Sequence, residues 1–148
     1  MNAAHLRERL IGTWRLVSYE TRRVSDGSVD HPFGKDPLGL ILYTPDGYMS
    51  AQLMARGAQP FDQADLHLAS NAELAQAARH YLAYSGPFEV SEDGRLTHHM
   101  SVSLFPNWLG QTQERIVTLT DRLLQLTTTA PLLSEGHLCE PYLIWERV

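Results

Sequence analysis

Hydrophobic and polar residues alternate most regularly between Leu96 and Leu104, which predicts a β-strand with one buried face. One row of this alternation contains Leu96, His98, Met100, Val102 and Leu104, and the other contains Thr97, His99, Ser101 and Ser103. Because the apolar row of a half-buried strand faces the core, we expect His98 to point inward and His99 to point outward. The run ends in Pro106-Asn107-Trp108, a sequence that is typical of a break in the strand.

The same alternation predicts short strands along the rest of the chain. They are expected at 12–24, 28–33, 38–44, 48–54, 85–91, 95–105, 111–120, 122–129 and 137–147. Turn sequences separate several of them: Asp26-Gly27, Pro45-Asp46-Gly47, Glu92-Asp93-Gly94 and Thr120-Asp121-Arg122. Helical spacing of apolar residues predicts a short N-terminal helix at 3–11 and a mid-chain helix at 71–82, with Ser70 or Asn71 as its N-cap.

These elements predict an all-β protein of about eight to ten strands, joined mostly by hairpins, with two helices. Antiparallel meanders of this length usually close on themselves, because closure removes the unpaired strand edges. A sandwich is the competing architecture, but sequential hairpins favour an antiparallel up-and-down barrel. At eight strands or more, the interior of such a barrel is wide enough for a small ligand.

Composition limits the classes of partner. The length of 148 residues suits one domain spanning 1–148, and the net charge of −5 argues against nucleic acid, which needs a basic surface. The single cysteine, Cys139, cannot form an intramolecular disulfide, and residues 1–9 lack the apolar stretch of a signal peptide. No apolar run approaches the roughly 20 residues that span a bilayer. We therefore expect a cytoplasmic protein that binds neither membranes nor nucleic acid.

The histidines show neither HxH nor HExxH spacing, and His98 and His99 point to opposite faces of their predicted strand. Two ligands on opposite faces cannot readily hold one ion, so no metal is predicted. Phosphate-binding glycine loops and a GxSxG nucleophile elbow are also missing from the sequence. No cofactor is predicted.

Several sequence blocks resemble those of a known family. They are Tyr43-Thr44-Pro45-Asp46-Gly47, Met49-Ser50-Ala51-Gln52, Tyr81-Leu82-Ala83-Tyr84-Ser85-Gly86 and Ser103-Leu104-Phe105-Pro106-Asn107-Trp108. Gly12-Thr13-Trp14 resembles the Gly-X-Trp signature of calycins, and Arg147 lies where lipocalin-type barrels stack an arginine on that tryptophan. Over nearly the whole chain the sequence is similar to the bacterial and fungal lipocalin-like domain family. The resemblance implies a calycin-type β-barrel with an internal cavity, and little about its chemistry.

Alternation within each strand assigns residues to the interior of such a barrel. The expected polar set is Ser18, Glu20, Tyr43, Tyr84, His98, Gln113 and Arg115. The expected apolar wall includes Met49, Ala51, Phe88 and Met100, with Trp108 at the rim. Both rows of the 111–119 strand contain apolar residues, so its orientation stays open. Because buried charges need partners, Glu20 and Arg115 would have to pair with each other, with a ligand carboxylate or with water.

Two functions suit this interior. The first is binding of a small hydrophobic molecule that carries a polar or anionic group, since apolar walls with a few polar groups are typical of ligand sites. Its expected ligand contacts are Ser18, Tyr43, Met49, Ala51, Phe88, Met100, Gln113 and Trp108. The alternative is a cofactor-independent cyclase, isomerase or dehydratase that acts on a polyketide- or terpenoid-like substrate. We favour binding, because a fold alone does not imply catalysis.

In the enzymatic alternative, His98 is the acid/base, Arg115 or Tyr84 stabilises an oxyanion, and Glu20 orients the imidazole or the arginine. Each of these residues also has a structural interpretation. His98 could be a core histidine that is hydrogen-bonded to a neighbour such as Tyr84, and Arg115 could belong to a structural ion pair. Bulky side chains could also fill the barrel completely.

The oligomeric state stays open between monomer and homodimer. Alternation places three apolar residues on the outside of the barrel, and these would suit a weak dimer face: Val17, Leu40 and Ile116.

Overall fold

The computed structural model describes residues 1–148 and contains eleven strands and two short α-helices. The strands are β1 (Gly12–Arg23), β2 (Val29–Asp30), β3 (Leu38–Tyr43), β4 (Tyr48–Met54), β5 (Tyr81–Val90), β6 (Leu96–His99), β7 (Val102–Ser103), β8 (Thr112–Leu119), β9 (Leu123–Thr128), β10 (Leu132–Ser134) and β11 (His137–Arg147). The helices are α1 (Ala3–Leu10) and α2 (Asn71–Arg79), and Pro106–Trp108 forms a 3₁₀ turn. Neither helix has the length and apolar character needed to cross a membrane.

Eight of the strands form a closed antiparallel barrel. They pair in the order β1-β3-β4-β5-β6-β8-β9-β11, and β11 pairs back onto β1. The three remaining short strands add to this ring, with β2 on β1, β7 on β5 and β10 on β11. The predicted antiparallel up-and-down barrel is therefore confirmed, and its closure leaves no long free edge for another strand to join.

Helix α1 covers one end of the barrel. Leu6 and Leu10 are buried in the core, and the Trp14 indole nitrogen donates to the Leu10 carbonyl oxygen at 2.9 Å. The Arg147 guanidinium lies 4.0 Å from the centre of the Trp14 ring and donates to the Ile11 carbonyl oxygen at 3.1 Å. The stacked arginine and tryptophan that the resemblance implies are present, and they close this end.

Helix α2 is shorter than predicted, and the strand after it begins earlier. The helix ends at Arg79 instead of continuing to Leu82, and β5 begins at Tyr81 instead of residue 85. The first residues of β5 pair with β4 in an antiparallel ladder, so tertiary pairing overrides their helical spacing. The N-cap is Ser70, whose hydroxyl accepts from the Glu73 backbone nitrogen while the Glu73 carboxylate accepts from the Ser70 nitrogen.

A β-bulge in β1 reverses the predicted orientation of its second half. The pairing of β1 with β11 shifts by one residue between Leu16 and Ser18. After the bulge Tyr19 and Thr21 lie on the inward row, and Thr21 is only 1% exposed. The prediction that Ser18 and Glu20 face the interior is wrong, because one extra residue moves every later side chain to the opposite face.

The strand predicted at 95–105 is interrupted after β6. His98 pairs with Phe88 but Val102 pairs with Ser85, so the register against β5 changes by one residue between these pairs. Val102 and Leu104 are therefore exposed, which corrects the prediction that they share the inward row. As far as Met100 the buried row is as predicted and contains Leu96, His98 and Met100.

The three outward apolar residues do not form one surface. Val17 and Leu40 lie on the neighbouring strands β1 and β3, whereas Ile116 lies on β8, across the ring from β3. A dimer face that uses all three is therefore incompatible with the barrel. Sequence alternation identifies which side of a sheet a residue faces, but not how far around a closed ring it lies.

Candidate functional site

The barrel interior has an apolar half and a polar half. The half next to α1 is filled by large side chains with no exposed surface: Leu10, Trp14, Ile41, Leu124 and Trp145. The other half contains Tyr19, Tyr84, His98, Gln113 and Arg115. Tyr19 and Gln113 are partly exposed although they lie on inward rows, so solvent reaches the barrel at this end.

His98 is fully buried in the polar half and lacks one hydrogen bond. Its Nε2 atom lies 2.9 Å from the hydroxyl of Tyr43, which is also buried, whereas its Nδ1 atom has no partner. Tyr84 contacts the imidazole only through its ring, at 6.0 Å between ring centres. Burial, and to a smaller extent the charge of Arg115, hold the pKa of His98 well below its usual range. The imidazole is therefore neutral at neutral pH.

Arg115 brings a positive charge into the same half of the barrel. The residue is 6% exposed, and its Nη2 atom donates to Gln113 Oε1 at 2.7 Å. Its Nη1 atom reaches the carbonyl oxygen of Glu114 only at 3.5 Å. No carboxylate oxygen lies within 4.0 Å of the guanidinium. The structure thus settles the orientation of β8: Gln113 and Arg115 face inward, and most of the guanidinium donors lack an acceptor.

Glu20 does not neutralise Arg115. Its carboxylate lies 3.4 Å from Arg22 Nε on the outer surface, where Arg22 also stacks 3.8 Å above the Tyr142 ring. Of the partners that were open for Arg115, Glu20 is therefore excluded, because the bulge in β1 turns Glu20 outward. Ser18 shares the outer row with Glu20 and does not line the interior either.

Tyr19 takes the interior position that was predicted for its neighbours. Its ring packs edge-on against Phe33, with 5.5 Å between the ring centres, and burial raises its pKa to about 12. Alternation alone missed this residue, because no glycine or turn sequence at Leu16–Ser18 marks the bulge. The bulge is visible only in the pairing with β11.

Aromatic rings border the polar half. Tyr84 is 4% exposed and packs edge-on against Trp108, at 5.7 Å between ring centres. Trp108 is partly exposed and packs in the same way on Phe105 at 5.5 Å, which suits its predicted place at the rim. The predicted apolar wall residues are all buried: Met49, Ala51, Phe88 and Met100.

Two cavities open outside this interior. One of about 640 Å³ lies against the outer wall of β1, β3 and β4, and its lining includes Val17, Leu38 and Leu40. The other, of about 800 Å³, separates α2 from residues 55–62. Neither is lined by the polar interior residues, although the core residues Leu16 and Leu53 line the first cavity and Ala55, which packs against the core, borders the second. Two buried polar atoms have no hydrogen-bond partner, His98 Nδ1 in the polar half and Trp145 Nε1 in the half next to α1. The charge of Arg115, which no carboxylate pairs, distinguishes the polar half from the apolar half.

The contact between Tyr43 and His98 gives a first prediction. Tyr43→Phe should lower the free energy of unfolding by about 1–3 kcal/mol, because it removes the only hydrogen bond of a buried imidazole. Urea denaturation measures the change. Tyr48→Phe is the matched control, since the Tyr48 side chain is exposed and forms no hydrogen bond through its hydroxyl. Equal stability of the two variants would contradict a structural role for this contact.

Comparisons with known proteins agree with the barrel. The family model of the lipocalin-like domain matches residues 11–148. A protein of Aspergillus oryzae (strain ATCC 42149 / RIB 40), named the 4'-hydroxy-3'-methoxypropiophenone carrier protein ppsC, is 37% identical to this chain over 107 residues. The matched region covers 68% of this chain and 96% of the relative.

Proposed function

Because the chain belongs to the lipocalin-like domain family, we propose that its barrel binds a small hydrophobic molecule whose anionic group is held by Arg115. The observation that carries this proposal is the position of Arg115, a residue that is only 6% exposed and has no carboxylate within 4.0 Å of its guanidinium. Burial of an unpaired charge destabilises a protein. An anionic group that binds Arg115 would provide the missing partner.

Arg115 differs in this respect from the arginines that are paired within the chain. Seven other arginines lie within 4.0 Å of a carboxylate oxygen, and all have more exposed side chains: Arg9, Arg15, Arg22, Arg23, Arg56, Arg95 and Arg122. Gln113 accepts from one edge of the Arg115 guanidinium and steadies it. The oxygen atoms of a carboxylate, phenolate or enolate could accept hydrogen bonds from the remaining donors, and a carboxylate could do so in a bidentate arrangement.

The surroundings of Arg115 support a flat aromatic body for the ligand. Tyr84 and Trp108 offer ring faces and edges at the open end, and Met100 and Phe88 lie deeper in the interior. The related Aspergillus protein is named as the carrier of an aryl ketone with a phenol group. That molecule combines an aromatic ring with an acidic oxygen, which is the combination that this interior is suited to hold.

A matched pair of fluorescent probes tests the proposal. Anilinonaphthalene sulfonate and N-phenylnaphthylamine share their ring system, but only the first carries an anionic group. The protein should bind the sulfonate with one-to-one stoichiometry and about tenfold more tightly than the neutral amine, since only the anion completes Arg115. Equal affinities, or failure to bind either probe, would contradict the proposal.

A second candidate function is favoured by the free Nδ1 atom of His98. His98 pairs with Gln113 across the β6–β8 ladder, and Arg115 is two residues further along the same inward row. If Nε2–H donates to Tyr43, Nδ1 has a lone pair that can remove a proton next to a carbonyl, while Arg115 stabilises the enolate oxygen. Return of the proton at another carbon would be an isomerisation. Glu20 has no part in this chemistry, because it lies on the outer surface.

Proton exchange distinguishes the two candidates. An aryl ketone dissolved in heavy water with the protein should exchange its α-hydrogens faster than in buffer if His98 is a base, and His98→Gln should remove the difference. Nuclear magnetic resonance follows the loss of the α-hydrogen signal. Exchange at the buffer rate, with the ketone bound, would exclude this chemistry on that ketone and leave binding as the function.

A further inference from the structure

We infer that the interior site selects the ionised form of a phenolic aryl ketone, so that the ligand is held as a phenolate against Arg115. This inference rests on the proposed binding function and adds the chemical form of the ligand to it. It predicts a change in the ligand itself, which a binding measurement alone does not reveal.

The charge of the interior is the first step. The titratable groups that face Arg115 from the packed strands are Tyr19 of β1, Tyr43 of β3, Tyr84 of β5 and His98 of β6. Burial raises the pKa of Tyr19 to about 12 and the pKa of Tyr43 well above its usual value, so both phenols are protonated. His98 is neutral, because burial lowers its pKa.

Two further titratable residues, Cys139 and Glu135, lie near Tyr19, and neither changes the charge of the interior. The thiol of Cys139 donates to the His137 carbonyl oxygen at 3.4 Å. Glu135, in the exposed turn before β11, is the acidic residue whose charge reaches Tyr19, and its effect there ranks below that of burial. With Arg115 as the charged side chain of this half, the interior carries one positive charge, and a monoanion neutralises it.

Burial and Arg115 act on a bound phenol in opposite directions. At Tyr19 burial raises the pKa and Arg115 lowers it, and burial is the larger effect. A ligand oxygen differs from the Tyr19 hydroxyl because it can contact the guanidinium directly and accept two of its hydrogen bonds. A para ketone also withdraws charge from the ring, so its phenol ionises more readily than a tyrosine does. Both effects favour the phenolate.

The experiment is a spectroscopic titration of 4'-hydroxy-3'-methoxypropiophenone, the ligand named for the Aspergillus relative, free and with protein in excess. The phenolate absorbs at longer wavelength than the phenol, so absorbance reports the ionised fraction directly. The midpoint is the pH at which half of the ligand is ionised. We expect the midpoint of the bound ligand to lie about one pH unit or more below that of the free ligand, which corresponds to about tenfold higher affinity for the phenolate than for the phenol.

The affinity for the ketone should depend on pH, because binding and ionisation of the ligand are coupled. It rises with pH between the bound and the free midpoints and is constant above the free midpoint, because there the ligand is already ionised in solution. The methyl ether of the same ketone cannot ionise, so its affinity should be lower and independent of pH over this range.

Variants of Arg115 distinguish the effect of a contact between the guanidinium and the ligand oxygen from the effect of burial on the ligand. In Arg115→Met the bound midpoint should move above that of the free ligand, because burial then acts unopposed. Arg115→Lys keeps the charge and should retain a downward shift, which tests the inference if the methionine variant does not fold. Arg95→Met removes an exposed arginine that pairs with Asp93 and Glu114, and it should behave as the unmodified protein does.

The outcomes keep the inference and the proposed function apart. Binding with an unchanged or raised midpoint in the unmodified protein would overturn the inference and leave anion binding to be judged by the fluorescent probe pair. A downward shift that persists in a folded Arg115→Met protein would also overturn it. Failure of the ketone to bind while the sulfonate probe binds would reject this ligand class and keep the proposed function.

Discussion

Arg115→Met will weaken the binding of an anionic hydrophobic ligand by about 100-fold and will make the ligand-free protein more stable. Loss of one partner from a buried, hydrogen-bonded charge pair costs about 2–5 kcal/mol of binding free energy, and 100-fold lies within that range. Without ligand the same guanidinium destabilises the protein, because Arg115 is only 6% exposed and no carboxylate pairs with it. Replacement by an apolar side chain of similar length should raise the free energy of unfolding by about 1–3 kcal/mol.

Two measurements on one variant check this result. Titration calorimetry with anilinonaphthalene sulfonate gives the affinity, and urea denaturation without ligand gives the stability. Arg95→Met, which removes an exposed arginine, should change the affinity by less than about twofold and the stability by less than about 1 kcal/mol. Unchanged affinity in Arg115→Met, or lower stability without ligand, would show that the arginine has a structural role.

Gly86→Ala will lower the free energy of unfolding by about 3 kcal/mol or more. A Cβ atom at this position would lie 1.8 Å from the carbonyl oxygen of His99, closer than any real contact. The backbone cannot yield locally, because Gly86 pairs with Met49 in β4 while Ser85 accepts from the Ser101 nitrogen at the strand break. Relief requires β5 to separate from β6 and β7, and such overpacking costs more than a usual core substitution.

Gly27→Ala is the matched control for this prediction. Gly27 has a φ of +73°, and a Cβ atom added there would meet no other atom within 4 Å. Its substitution therefore costs only the strained backbone conformation, about 1 kcal/mol. Urea denaturation of both variants separates the two effects. If Gly86→Ala were no less stable than Gly27→Ala, the strand break at His99 would have to be flexible enough to admit a side chain.

Both predictions concern places where the barrel departs from simple alternation, and the sequence predicts those places poorly. Alternation correctly places His98 and Met100 inside. It leaves the orientation of the strand that contains Gln113 and Arg115 open, because both rows of that strand contain apolar residues, and only the pairing with β6 shows that these two residues face inward. Alternation fails after Leu16, where one extra residue in β1 moves Glu20 outward. Pairing between β1 and β11 joins residues more than a hundred positions apart, so no local pattern reveals the shift.

The position of Glu20 determines which chemistry the site supports. With Glu20 inside, Arg115 would have an internal partner and the site would be a structural ion pair. With Glu20 on the outer surface, paired with Arg22, the interior keeps a net positive charge. The family resemblance predicts the barrel and its stacked Trp14 and Arg147, whereas the outward position of the Glu20 carboxylate follows only from the bulge.

The end of α2 shows the complementary limit of local patterns. Leu82 continues the helical spacing of the preceding alanines, yet it pairs with Leu53 in the ladder between β4 and β5. A hydrogen-bonded strand on the core outweighs the intrinsic preference of three or four residues for a helix. The N-cap was predictable to within one residue, as Ser70 or Asn71, because a capping box depends only on residues within one turn.

The most direct test of the account is a crystal structure of the protein with a hydrophobic anion, such as anilinonaphthalene sulfonate. We predict that the anionic oxygens lie within hydrogen-bonding distance of the Arg115 guanidinium, with the rings between Tyr84, Trp108 and the apolar wall of the barrel. A probe seated in the outer cavity beside Val17 and Leu40, with Arg115 untouched, would contradict the account.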